Sequence, residues 1–250
     1  MNNYELFDFG KIATVGLHHM NDLCPDEIAS GCLIDYSNKT YILTVAHAVA
    51  SGGWGLKVEI TPELKQMYFR TQYTLMKHGI INEDAIQRGL TDPDDLMIFA
   101  KEVDFAFAEL PSNYKVLDQF LVQENDHIKL YSRPKHIFKT DLQKTPEIGG
   151  IYTFFGEIKG KINHEKKQII TVPKLVSDIE YFCSDEDFHF FNLPSIINDA
   201  SDYQGCSGAP IFDKNCELVS LVVGGKVGTN RLWGINLSKY SFVIDTENMI

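Results

Sequence analysis

Three stretches of this sequence hold residue types that could together carry out nucleophilic chemistry. Gln204 to Phe212 reads QGCSGAPIF. A serine between glycines, followed by an apolar run, describes a tight turn feeding a strand. Glycine lets a backbone approach a substrate closely, and the N–H groups of Gly205 and Ser207 could converge on one developing oxyanion. The same letters also describe a plain glycine-rich β-turn. Serine is a weak nucleophile until a base takes its proton. His47, in Thr44 to Val49 (TVAHAV), ends an apolar strand among small residues that leave its ring room to turn toward a cleft; a buried core histidine would look the same. Asp104, in Val103 to Leu110 (VDFAFAEL), is a carboxylate inside an apolar strand. Such a group costs several kcal/mol unless satisfied. An imidazole N–H would satisfy it and fix the tautomer that a histidine base needs; capping a turn is the plainer alternative.

The elements that must position these residues read as β. Gly31 to Tyr36 and Thr40 to Val49 are apolar, β-branched runs separated by the turn signal Ser37-Asn38-Lys39, a hairpin pattern. Val103–Leu110, Gly150–Ile158, Gln168–Val176, Leu218–Val223 and Leu232–Leu237 also read as strands. One stretch differs. Thr61 to Arg88 is rich in helix formers and opens with Thr61-Pro62-Glu63, so it reads as a helical insertion. Asp92–Asp95 (DPDD) and Ser184–Asp187 (SDED) read as solvated acidic turns, since neither has the full ligand spacing of a calcium loop. Many short strands with few helices point to a barrel or sandwich.

Composition narrows the function classes. The 250 residues are 44% hydrophobic and carry 23 basic against 34 acidic side chains, a net charge of −11. A chain this acidic repels phosphate backbones and anionic lipid surfaces, so no nucleic-acid partner is expected. No apolar run reaches the ~18 residues of a membrane span. Met1 to Gly10 contains Glu5 and Asp8 and lacks the positive start of a secretory signal. With five cysteines and no C-x-x-C pair, reduced thiols in a cytoplasmic compartment are expected. The histidines lack metal-ligand spacing, and no metal or cofactor is expected.

All eight histidines precede Ser207. That excludes the α/β-hydrolase order of serine, acid, histidine. The order His47, Asp104, Ser207 is instead that of another family. TVAHAV, VDFAFAEL and QGCSGAPIF resemble the T-A-A-H, D-I-A-L and G-D-S-G-G-P blocks of chymotrypsin-like (trypsin-fold) serine proteases. The hairpin SGCLIDYSNKTYILTVAHAV, the wall strand NCELVSLVVGG and WGIN (233–236) resemble further strands of that family. The resemblance implies two packed six-stranded antiparallel β-barrels with the active site between them. The N-terminal barrel would span 1–125 and carry His47, Asp104 and the helical insertion 61–88; the C-terminal barrel would span 126–250 and carry Ser207. It implies a serine endopeptidase acting on protein or peptide substrates through an acyl-enzyme. His47 would be the base, Asp104 its orienting partner, and the N–H groups of Gly205 and Ser207 the oxyanion hole.

It also implies a substrate pocket built from Ser201, Asp202, Gln204, Val223, Gly225 and Gly234. By family position Ser201 is the pocket floor, which favours larger apolar side chains. Asp199 and Asp202 lie close by, and an aspartate aimed into the pocket would favour Arg or Lys; the reading leans to a basic side chain. One position departs from the pattern. Cys206 stands where trypsin-like zymogens carry the aspartate that pairs with a freshly cut N-terminal ammonium. Activity without N-terminal processing is therefore expected, with control by a partner or signal, and the 61–88 insertion is a candidate surface for it. Signal-less microbial members of the family serve as effectors of stress responses or antiphage defence, which extends here only as a family-level expectation. The alternative is a catalytically silent pseudoprotease of the same fold, used to bind a protein.

Overall fold

In the computed structural model of the protein, the described residues are 2–21, 24–60, 65–81, 87–89, 97–124, 127–163, 165 and 168–247. The chain opens with helix α1 (Asn3–Ala13). A capping box starts it: the Asn2 side chain accepts from the Tyr4 and Glu5 N–H groups, and the Glu5 carboxylate accepts from the Asn2 N–H at 2.8 Å. Among the described residues nine strands form one sheet, antiparallel except for its last member. They are β1 (Val15–Asn21), β2 (Cys24–Tyr36), β3 (Lys39–Thr44), β4 (Trp54–Ile60), β5 (Lys65–Arg70), β6 (Thr74–Ile81), β7 (Met97–Glu109), β8 (Tyr114–Lys115) and, after a hairpin, β11 (Ile137–Lys139). The order is β5-β4-β1-β2-β3-β7-β6, with β8 on β4 and β11 parallel to β2. The hairpin is β9 (Leu117–Glu124) with β10 (His127–Pro134). A six-stranded closed barrel completes the chain. Its strands are β12 (Ile151–Asn163), β13 (Gln168–Ser184), β14 (Phe188–Asn192), β15 (Pro210–Asp213), β16 (Leu218–Gly225) and β17 (Arg231–Ile235), in the order β12-β13-β14-β17-β16-β15. A last helix, α3, covers Ser241–Glu247. Among the described residues no helix is long and apolar enough to cross a membrane.

The β2–β3 turn has the expected chemistry. Ser37 (φ 52°) and Asn38 (φ 64°) are both left-handed, as a two-residue hairpin with the right twist requires. Two expectations need correction. The run Thr40–Val49 is not all strand: β3 ends at Thr44, and Ala46–Val49 is a single helical turn, α2. The helical insertion at 61–88 is corrected over 65–70 and 74–81, which are strands; of the described residues there only Gln87 is helical. Lys65–Arg70 pairs with β4 from Gly55↔Arg70 to Ile60↔Lys65, and Thr74–Ile81 pairs along β7. Each segment is an edge strand with one ladder partner, and that pairing overrides a modest local helix preference. Residues 61–64 and 82–86 lie outside the described set. A division at 125/126 would cut between the paired strands β9 and β10 and strand β11 away from its sheet.

The two halves are joined by a common core. Ile34, Leu43, Phe105 and Phe107 from the first sheet pack with Phe212, Leu221, Ile235, Tyr240 and Ile244 from the second half. Two further clusters fill the first sheet and the barrel interior. Helix α1 packs on the barrel. A Cβ at Gly10 would come within 2.5 Å of the Phe155 Cβ, and the Arg133 guanidinium holds Asp8 at 2.7 and 2.8 Å.

Candidate active site

The site forms where the ends of three elements from both halves meet. β3 stops at Thr44 and the chain turns through Val45 into α2, which presents His47. Beside it, β7 pairs with β3 up to Thr44↔Ala106, and with β6 at Leu75↔Ala106 and then Met76↔Val103. Asp104 and Phe105 thus sit in a bulge, a device that re-aims a side chain out of the ladder. Phe105 goes into the core, fully buried, and Asp104 faces α2. One carboxylate oxygen accepts from the His47 backbone N–H at 2.8 Å, and the other lies 2.7 Å from His47 Nδ1. The carboxylate therefore fixes both the helical turn and the imidazole on it. His47 Nε2 lies 3.1 Å from Ser207 Oγ. The three side chains expected to meet are joined in one chain of contacts, across 57 residues on one side and 160 on the other.

Ser207 follows a turn whose geometry is set by its own residues. Cys206 N–H donates to the Tyr203 carbonyl at 2.9 Å. Gln204 has φ −63°, ψ 113° and Gly205 has φ 106°. Those are the angles of a type II turn, which needs a left-handed residue at its third position and so favours glycine. A Cβ at Gly205 would also come within 2.4 Å of the Glu157 carbonyl oxygen. Peptide units are planar and trans, so each N–H points opposite the carbonyl of its own unit. The Gln204 carbonyl accepts from Lys159 N–H at 3.0 Å, and the Cys206 carbonyl from Ala209 N–H at 2.9 Å. The N–H groups of Gly205 and Ser207 are thereby turned away from those anchors. Gly208 (φ 85°) permits the next close approach: a Cβ there would stand 2.1 Å from the Ser30 carbonyl oxygen and 2.2 Å from Thr44 Oγ1.

Cys206 is fully buried and packs in the barrel core. Burial pushes its thiol up to about 12, so it stays protonated at neutral pH and is a poor nucleophile. The position that would hold an aspartate in trypsin-like zymogens is a core position here.

A cavity of about 460 Å³ opens beside Ser207. Ser201, Gln204 and Gly225 line it, as expected, together with the apolar Ile197, Ala200, Val222, Val227 and Leu232. Asp202, Val223 and Gly234 do not line it. The Val223 side chain packs against the shared core, and Gly234 lies under Ser220 Oγ, 2.2 Å from where its Cβ would be. Asp199 is not in the lining either; its carboxylate accepts from the N–H of Ser201 at 2.8 Å and from the Ser201 hydroxyl at 2.7 Å. The lean toward a basic substrate side chain rested on an aspartate in the wall, and the residues that line the cavity include no carboxylate. Sequence reasoning missed the apolar walls Ile197 and Val227, which sit on loops without periodicity. It also missed Ser30, which touches the turn from β2. Among the described residues no cluster of His, Cys, Asp or Glu is arranged to hold a metal ion.

The sequence matches no family model and no curated protein. Solved structures are similar in fold. Human heparin binding protein aligns with a TM-score of 0.55 at 12% identity, over 95% of this chain and 92% of its own. Mouse neuropsin, a serine protease, aligns at 0.54 and 12% identity over 96% of each chain. A scabies mite inactivated protease paralogue aligns at 0.53 and 11% identity, over 96% and 93%. At such identities the likeness speaks for the architecture alone, which is that of the chymotrypsin-like (trypsin) fold, with the second barrel closed and the expected first six-stranded barrel present as a curled, open nine-stranded sheet.

Proposed function

We propose that the protein is a serine endopeptidase in which Ser207 Oγ attacks a peptide carbonyl. His47 Nε2 takes the hydroxyl proton and then gives it to the leaving amine, while Asp104 holds the ring and stabilises the imidazolium. The N–H groups of Gly205 and Ser207 would take the oxyanion charge. The observation that carries this reading is the continuous His47 bridge, 2.7 Å to Asp104 and 3.1 Å to Ser207, within hydrogen-bond reach for general base catalysis. The apolar walls of the adjoining cavity favour a large apolar side chain before the scissile bond. With a core cysteine at 206, no N-terminal ammonium is needed, and control would fall to substrate access or a protein partner. Cytoplasmic residence belongs to the same proposal; Cys24 and Cys32 are free thiols, as suits a reducing compartment. Profiling against a peptide library tests the reading. Cleavage after Phe, Leu or Met by the protein with its original N-terminus, absent in Ser207→Ala, supports it. Absence of cleavage in both favours the pseudoprotease, for which the inactivated paralogue of the same fold is the precedent.

A further inference from the structure

We propose that Ser30 is a positioning residue that holds the oxyanion turn in its working geometry, and that it does so from the opposite half of the molecule. The inference rests on the serine-protease reading above. The same four residues, Tyr203 to Cys206, could close a type I turn, in which the central peptide is flipped and the Gly205 N–H points to the other side. Something must select the type II form. One anchor is the Lys159 N–H on the Gln204 carbonyl at 3.0 Å. That anchor sets the flip of the central peptide; a side chain fixes the peptide next to it, as Ser30 Oγ donates to the Gly205 carbonyl at 2.7 Å. Together they pin both peptide units that meet at Gly205.

Ser30 is itself held on every polar atom. It is fully buried in β2. Its N–H donates to the Ser207 carbonyl at 2.9 Å, and its carbonyl accepts from Thr44 Oγ1 at 2.8 Å, one turn before His47. A single residue thus ties the serine, the oxyanion turn and the strand that ends at the histidine. Gly205 is buried, so without the hydroxyl its carbonyl would lose its partner away from water. The neutral thiol of Cys206, packed in the barrel core, offers no charge that could replace this hold. Ser30 thus holds the turn with a neutral hydrogen bond that joins the two halves.

The test compares wild type with Ser30→Ala. Expected are a fall in kcat of about 10- to 100-fold with KM nearly unchanged, and a similar weakening of a peptide aldehyde whose adduct oxygen occupies the hole. Binding of an uncleaved substrate peptide should be equal in Ser207→Ala and Ser30→Ala/Ser207→Ala. Should Ser30→Ala not fold, Ser30→Cys, with its weak donor of similar size, should show an intermediate kcat. Wild-type kcat and aldehyde affinity in the folded variant, or a loss carried by KM alone, would overturn the role of Ser30 while leaving the protease reading intact. A wild type that neither cleaves peptides nor binds the aldehyde would overturn both.

Discussion

At the scale of single residues, the site asks each side chain for one property, and three of these were legible in the sequence. Ser207, His47 and Asp104 each interrupt an apolar or glycine-rich pattern with a group that needs a partner, and they met in space. Asp104→Asn should leave the fold intact and lower kcat about 10⁴-fold, because the amide favours the wrong imidazole tautomer; steady-state kinetics on a folded variant check this. Gly205→Ala should lose most activity at unchanged Asp104–His47 geometry, since a methyl would press the Glu157 carbonyl at 2.4 Å and φ 106° strains any L side chain. Retention of wild-type kcat there would contradict the type II turn. Ser30 was illegible for a plain reason. Its hydroxyl acts on a carbonyl 175 residues away, and a serine in a buried strand carries no local mark of that bond.

At the scale of elements, the hairpin before His47 was readable from Ser37-Asn38 and the apolar runs beside it, but its end was not. Val45 to Val49 is apolar apart from His47, so nothing local says that the strand stops and a helical turn begins. The stretch from Thr61 failed in the opposite way. Its opening letters start helices, yet Lys65–Arg70 pairs back on the preceding strand β4 and Thr74–Ile81 pairs with the following strand β7, and a helix-start pattern says nothing of either ladder. The specificity wall is shared between strands and loops: Val222 stands on β16 and Leu232 on β17, while Ile197 and Val227 stand on loops. Ile197, Val222, Val227 and Leu232 shape an apolar cavity, and Asp199 is engaged by Ser201. Matched peptides with Phe before the scissile bond should be cleaved at least about tenfold faster, by kcat/KM, than those with Arg, which is 1.4 kcal/mol of preference; the reverse order would contradict the wall's composition.

At the scale of the molecule, the site exists only while the halves stay joined, because His47 and Asp104 come from one and Ser207 from the other. The shared core enforces this. Phe212→Ala, which empties a fully buried ring from it, should cost about 3–5 kcal/mol and shift one cooperative unfolding transition. Two separate transitions would mean independent domains. Acid should also weaken the barrel. Burial holds His189 down at about 4, against the opposing pull of Asp185, from an ordinary 6.5. The folded state therefore binds its proton less readily than the unfolded chain. Stability from this group is complete above about pH 6.5 and declines as pH falls toward about 4, by on the order of 3 kcal/mol. His189→Phe should flatten that slope in denaturant titrations, and an unchanged slope would assign it elsewhere. The most direct measurement of the whole account is labelling by a fluorophosphonate, mapped by peptide mass spectrometry, on protein with its original N-terminus. A single adduct on Ser207, lost in Ser207→Ala and strongly slowed in His47→Ala, is the predicted result; no adduct, or equal labelling of all three proteins, would contradict it.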